Sequence, residues 1–421
     1  MQKRQLTTIF VVVFIDLLGF GVILPLLPYY AETFGADPTQ IGFLVASYAA
    51  AQLIGAPMLG RLSDKHGRRP VLLLSIFGQM AGFLILGFAQ SMAVLFASRI
   101  LAGLTGGNIS VAQAYITDVT DERSRAKGLG LMGAAFGLGF IFGPALGGSL
   151  SGGGFALPSF VAAGFSLLNL MMVALWLPES LAADQRAELA SRPAAPFTVG
   201  AMVRALGRHR VGPLLQIRFF FGLAFATFQS VFALYALYRL GMSPQETGFV
   251  LAYVGLLSVL IQGVAIGRLT AWFSDDGLIM ASTVLMAGSM LAWAFVASLP
   301  WLLVVLAPLS LAGGVMNTVI NSALTKAVRR AEYGGTLGIA ASVESSTRVI
   351  APTMGGWLLQ VAGTSAPGIF AAAVLFAMAP YAWLRLFGRP DRLPEIHAAP
   401  ELGTVPVPVA LDAALPRPAS R

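Results

Sequence analysis

Cysteine is absent from the 421 residues, and histidine occurs only as His66, His209 and His397. The first absence excludes disulfides, thiolate nucleophiles and cysteine-ligated metals. The three histidines fall in polar segments, so a buried histidine metal site is not expected, and no cofactor is called for. Charge is equally scarce: 11% of residues are Asp, Glu, Lys or Arg, against about 25% in soluble domains. With 57% hydrophobic residues and 47 glycines, water is not this chain's main solvent.

What is present is a series of long apolar runs. They fall near 6 to 30, 40 to 61, 70 to 90, 92 to 117, 126 to 150 and 157 to 178, then near 213 to 238, 244 to 268, 277 to 298, 300 to 326, 334 to 361 and 366 to 388. Crossing the hydrocarbon takes about 20 apolar residues, so each is long enough to be a transmembrane helix. The first run is longer than a signal peptide's apolar core and is read as retained. The basic residues Lys3, Arg4, Arg61, Lys65, Arg68, Arg69, Arg123, Arg125, Lys127, Arg268, Lys326, Arg329 and Arg330 all fall on one side of the twelve crossings; only Arg239 falls on the other. The positive-inside rule makes the basic side cytoplasmic, with both termini there, in a cell (inner) membrane. That orientation accounts for the net charge of +8, and no nucleic-acid partner is needed.

The expected layout is therefore a bundle at 1–180, a cytoplasmic linker at 181–212, a second bundle at 213–388, and a disordered Pro/Ala-rich cytoplasmic tail at 389–421. An internal repeat supports the two halves. Phe34-Gly35, Pro38 and Gly42 return at constant offset as Leu240-Gly241, Pro244 and Gly248, whereas Gly60-Arg61-Leu62 returns as Gly267-Arg268-Leu269, one residue late. Gly143-Pro144 with Gly147-Gly148 is answered by Ala351-Pro352 with Gly355-Gly356. Parallel repeats of this kind build transporters with one site between the halves near the membrane midplane.

The loop from Gly60 to Pro70 carries Asp64, Gly67, Arg68 and Arg69. Its glycines permit a tight turn, and its charges can form an ionic latch at neighbouring helix ends, with Asp118 as candidate acid partner. Gly137, Gly143, Gly147 and Gly148 give the fifth span a small-residue face for close packing, and Pro144 lets it bend.

On these residues the chain resembles the major facilitator superfamily, and within it the twelve-helix drug/proton antiporters near the tetracycline exporters. The 60–70 loop is similar to the superfamily's signature between helices 2 and 3. Asp16 with Leu24-Pro25 through Tyr30 is similar to the drug exporters' first helix, Arg99 to Gly103 to their helix 4 motif, and Gly137 to Gly148 to the antiporter motif. The resemblance implies an all-α membrane protein of twelve transmembrane helices in two pseudo-symmetric six-helix bundles. It implies proton-coupled export of drug-like or amphipathic molecules, with Arg99 in proton relay or coupling. The chain departs from the tetracycline exporters at Gly82, where they carry an acid, so their particular substrate and proton path are not implied.

Ionisable groups inside spans are costly and are functional candidates by default. Four qualify: Asp16, Arg99, Glu344 and Arg348. Glu344 and Arg348 share a helical face and can pair, for coupling or for structure alone. Arg218 is explained by snorkelling at a helix mouth. Without a histidine in any span, Asp16 and Glu344 are left as the proton carriers. Tyr48, Gln52, Asn108, Gln113, Phe136, Phe140, Phe225, Phe228, Gln229, Phe232, Asn317 and Asn321 are the candidate substrate-binding positions, an apolar wall with few polar anchors. Four scattered ionisable side chains do not make a catalytic cluster, so an enzyme is not expected. The expected partners are a small molecule, protons and lipid, with the chain acting as a monomer. A sugar or organic-acid transporter of the same fold, or a non-transporting membrane sensor, is the alternative.

Overall fold

The computed structural model describes residues 2–182, 184–187, 204–329 and 332–387. Part of the linker and the tail expected at 389–421 lie outside the described residues. Among the described residues, eleven helices are long and apolar enough to cross a membrane. They are α1 (Arg4–Glu32), α2 (Pro38–His66), α3 (Arg68–Gly87), α4 (Met92–Val119), α5 (Glu122–Leu150), α6 (Ala156–Trp176), α7 (Val211–Leu240), α8 (Pro244–Trp272), α9 (Asp275–Ala294), α10 (Leu299–Lys326) and α12 (Ala366–Leu386). The twelfth, α11 (Tyr333–Ala362), is just as long but too polar to qualify on hydropathy alone. Its polarity lies in the stretch from Ser342 to Arg348, which carries the site described below.

The halves α1–α6 and α7–α12 repeat one another down to the turn that starts their second helices. Gly35 and Gly241 both adopt left-handed backbone, with φ of 73° and 64°. Asp37 and Ser243 then cap α2 and α8 with reciprocal bonds to Gln40 and Glu246. Further along α8, a π-helical turn at Ile261–Ala265 adds one residue. The extra residue lies between Gly248 and Gly267, where the repeat slips by one.

Two long crossings join the halves: α2 packs along α11 and α5 along α8. Both are closest at the end away from the basic loops. A Cβ on Gly42 would come within 2.4 Å of the Pro352 carbonyl oxygen, and one on Gly248 within 2.4 Å of that of Pro144. Matching residues of the repeat thus make matching contacts, which only glycine permits. Gly356 against Pro38 and Gly148 against Gln245 extend the seal. Toward the basic end, Gly130 and Gly133 of α5, Gly263 and Gly267 of α8, and Gly334 and Gly338 of α11 have nothing within 4 Å of a Cβ position. The halves are in tight contact at the far end, and these glycines make no such contact at the end bearing the 60–70 loop.

Candidate functional site

Two helices of the N-half are interrupted. α1 breaks at Leu24–Leu26 around Pro25, and α4 breaks at Thr105–Gly107. A break frees backbone carbonyls that the membrane interior cannot hydrate, so side chains must satisfy them. Gln52 Nε2 donates to the Gly106 oxygen at 2.9 Å, and Ser75 donates to the oxygen of Thr105. Gln52 also reaches the Tyr48 hydroxyl at 3.3 Å. This assigns Gln52 to bracing α4 and leaves Tyr48 facing the opposite half, within electrostatic reach of Asp16, Arg99 and Arg348.

Asp16 is 8% exposed and, among the described residues, has no ion-pair partner. It shares a small internal void with Asn108 and Asn169. Asn169 donates to the Val12 oxygen at 3.0 Å, and Asn108 interacts with the Asp16 carboxyl. Arg99 does not meet Asp16. It is 3% exposed, donates to Ser98 Oγ at 3.3 Å and lies over the Phe83 ring at 5.8 Å, one of its terminal nitrogens unpartnered.

The C-terminal half concentrates its charge at one point. Arg218 Nη2 of α7 meets Glu344 Oε2 at 2.5 Å, and Arg348 Nη2, one turn along α11, meets Oε1 at 2.8 Å. Arg218 Nη1 also donates to Asn321 Oδ1 of α10 at 2.7 Å. The snorkelling assigned to Arg218 is therefore corrected: its side chain is 10% exposed and points inward to the carboxylate. The two arms are unequal. The Arg348 side chain is 61% exposed, and pairs of that kind contribute about 0–1 kcal/mol. Arg218, with its side chain 10% exposed, is the more buried arm and the one that also reaches a third helix through Asn321. One carboxylate thereby ties α7, α10 and α11 together.

Several candidate binding positions take other roles. Phe228 and Phe232, each 1% exposed, are sealed in the C-half core, where Phe228 packs edge-on to Trp293 at 5.1 Å. In this structure neither is accessible, and the apolar run of α7 around them does not mark in the sequence which face meets α9. Phe225 is half-buried against Phe228. Phe136 and Phe140 stack at 6.5 Å on α5. Gln113, Gln229 and Asn317 are exposed, and the Asn317 oxygen accepts from Asn321 at 2.8 Å.

At the basic end, the latch residues do come together. Arg68, 5% exposed, reaches Asp64 at 2.6 Å, Ser63 at 2.7 Å and Asp118 at 3.0 Å. Glu179, which the sequence did not single out, accepts from the backbone nitrogens of Arg68 at 2.8 Å and Arg69 at 3.1 Å and so caps α3. Arg69 donates to the Ala174 oxygen at 2.5 Å. Gly60 sits in the last turns of α2 with open space beside it. Gly67 is required twice: its φ is 102°, and a Cβ there would lie 2.4 Å from Glu179 Oε2. Gly67→Ala is expected to cost at least about 1–2 kcal/mol through the backbone alone and to lower the Tm of the purified protein. An unchanged Tm counts against the Glu179 cap.

On α5 the glycines divide between two partners. Gly143 and Gly147 meet α1 at Gly21 and Val22, while Gly137 meets Val259 of α8 and the Pro144 carbonyl receives Gly248. The motif is thus a double seam, binding α5 to its own half on one face and to the other half on the opposite face. The sequence profile of the Major Facilitator Superfamily matches residues 9–275 and 214–418. The chain belongs to the major facilitator superfamily. It is 33% identical to mouse "Solute carrier family 22 member 18" over 346 residues, covering 80% of this chain and 85% of that one. It is 32% identical to the class C tetracycline resistance protein of Escherichia coli over 355 residues, covering 83% and 88%. Its fold matches the crystal structure of the human organic anion transporter MFSD10 with a TM-score of 0.67 at 23% identity, covering 90% of this chain and 99% of that one. This member of the superfamily is a multi-pass membrane transporter of two six-helix bundles.

Proposed function

We propose that the chain is a proton-coupled antiporter that exports drug-like or amphipathic small molecules by alternating access, as a monomer in the cell (inner) membrane. Its basic end and both termini face the cytoplasm. The observation that carries this reading is the Glu344 carboxylate in the second of two bundles, shared by Arg218 and Arg348, with Arg218 bonded onward to Asn321. Ionised, Glu344 holds three helices together. A proton removes the charge that both guanidiniums need, so proton binding favours a different packing of α7, α10 and α11. Substrate and proton then act on the same helices from the space between the halves. Asp16, isolated in the N-half, is the second proton carrier, and Arg99 biases the field around it through Tyr48.

The test is substrate-dependent proton release from proteoliposomes under an imposed pH gradient, run over a panel of amphipathic compounds. Proton efflux triggered by some members of the panel is expected. A protein that moves substrates with no proton flux in either direction excludes the antiport reading.

The far-end seal supplies a second check. The Tyr29 hydroxyl of α1 donates to the Met242 oxygen at 3.0 Å and pairs with Thr247 Oγ1 at 2.7 Å, bridging the halves where they must part for release. Losing a net contribution of about 1 kcal/mol changes a two-state ratio about fivefold. Tyr29→Phe is therefore expected to populate the far-end-open state about fivefold more, read as lengthened spin-label distances across that end. Unchanged distances remove Tyr29 from the gate.

A further inference from the structure

A separate cavity of about 420 Å³ opens at the basic end of the C-half, between the first turn of α7, the α8–α9 turn and the ends of α10 and α12. Arg210, Lys326 and Arg385 stand around it with Asp275 and Asp276. Lys326 is held by Asp275 at 2.7 Å. Arg210 acts on Asp276 across space but, like Arg385, forms no ion pair among the described residues. Arg385 instead lies over the Tyr381 ring at 5.5 Å. The rim therefore carries one positive charge in excess, on two guanidiniums that are free to take a bidentate anion.

Apolar surface accompanies the charge. Trp272 and Phe273, at the end of α8, are 75% and 56% exposed. Leu386 lines the cavity next to Arg385, and elsewhere around the same helix end Trp383 and Phe387 pack at 4.7 Å in a tilted pair and Leu384 is 65% exposed. Exposed tryptophans at the end of a membrane helix mark headgroup depth. A cationic pocket opening onto apolar side chains at that depth fits a molecule with an anionic head and acyl tails, whereas a free anion would use the rim alone. Basic pockets between helix ends recognise lipid headgroups in this way. The Glu344 cluster has no part in it.

We propose that this pocket binds one anionic phospholipid, its phosphodiester between Arg210 and Arg385 and its chains leaving over the apolar lining at Phe273 and Leu386. Because Arg210 directly precedes α7, the lipid would anchor the start of the C-half to the membrane surface.

Native mass spectrometry of the detergent-solubilised full chain, titrated with phosphatidylglycerol or phosphatidylcholine, tests the assignment. Wild type is expected to retain one phosphatidylglycerol in preference to phosphatidylcholine. R210Q/R385Q is expected to weaken that retention on the order of tenfold, given the attraction of two basic side chains to anionic lipid. Both replaced side chains are exposed, so folding is preserved, and R210K/R385K should recover most of the retention. Arg61→Gln, an exposed cation of the other half, should leave it unchanged. Equal retention by wild type and R210Q/R385Q, or of the two lipids, overturns the proposal. So does displacement of phosphatidylglycerol by inorganic phosphate at equal concentration, which would make the pocket a site for a free anion.

Discussion

Glu344→Gln is expected to abolish uphill export in proteoliposomes and to flatten the pH dependence of substrate binding, with the protein still folded and inserted. Glutamine keeps the shape of the protonated acid but cannot hold a guanidinium as a carboxylate does. The groups acting on Glu344 are Arg348 on its own helix and Arg218 on α7, the latter tied to the uncharged Asn321 of α10. Across the gap, Tyr48 of α2 is within electrostatic reach of Arg348. The sign follows from the carboxylate: the three-helix tie is present while Glu344 is ionised and is lost as pH falls and the acid takes a proton. The substitution therefore fixes the low-pH arrangement at every pH, and coupling should fall at least 100-fold while binding persists. Asp16→Asn should alter the pH profile less, because Asp16 bridges no two helices by an ion pair. The unequal arms add a comparison. Arg348→Gln removes the exposed arm and should leave partial coupling, whereas Arg218→Gln strips the buried one and should resemble Glu344→Gln. Wild-type uphill export by Glu344→Gln would make the cluster structural.

The architecture is legible in the sequence wherever one residue type is enforced by sterics. Gly42, Gly248, Pro144 and Pro352 stand out in the sequence because the helices approach so closely at those points that no side chain fits, and their repetition gives the two halves. Even the one-residue slip before Gly267 has a structural cause, the π-helical turn of α8. Legibility fails where a role depends on a distant partner. Arg218 sits near the start of α7, as a snorkelling cation would, and its acid lies 126 residues away. Glu179, just past α6, resembles any surface charge until the end of α3 is brought against it. Phe228 and Phe232 illustrate a third failure: in lipid both faces of a helix are apolar, so hydropathy does not separate the core of a bundle from its central surface.

Arg68→Gln is expected to slow transport at least tenfold while changing substrate affinity less than about threefold. Every contact of the Arg68 side chain lies within the N-half, on Ser63, Asp64 and Asp118, and none reaches the space between the halves. Its loss leaves Asp118, only 17% exposed, with the Ser180 hydroxyl at 2.9 Å and without its cation. Stripping a buried pair of one partner costs about 3–5 kcal/mol, and here the cost falls on the ends of α2, α3 and α4 at the basic end. Those ends must move as a unit when the N-half rocks against the C-half, so loosening them changes the balance between conformers and the rate of exchange. On the proposed reading substrate is held elsewhere, between the halves, so its affinity should be largely spared. Asp118→Asn should slow transport less, since Asp64 still pairs with Arg68. Measured as initial transport rate against equilibrium binding of the same compound, a fall in both by the same factor in a folded Arg68→Gln protein would place Arg68 in the binding site and end its role as a latch.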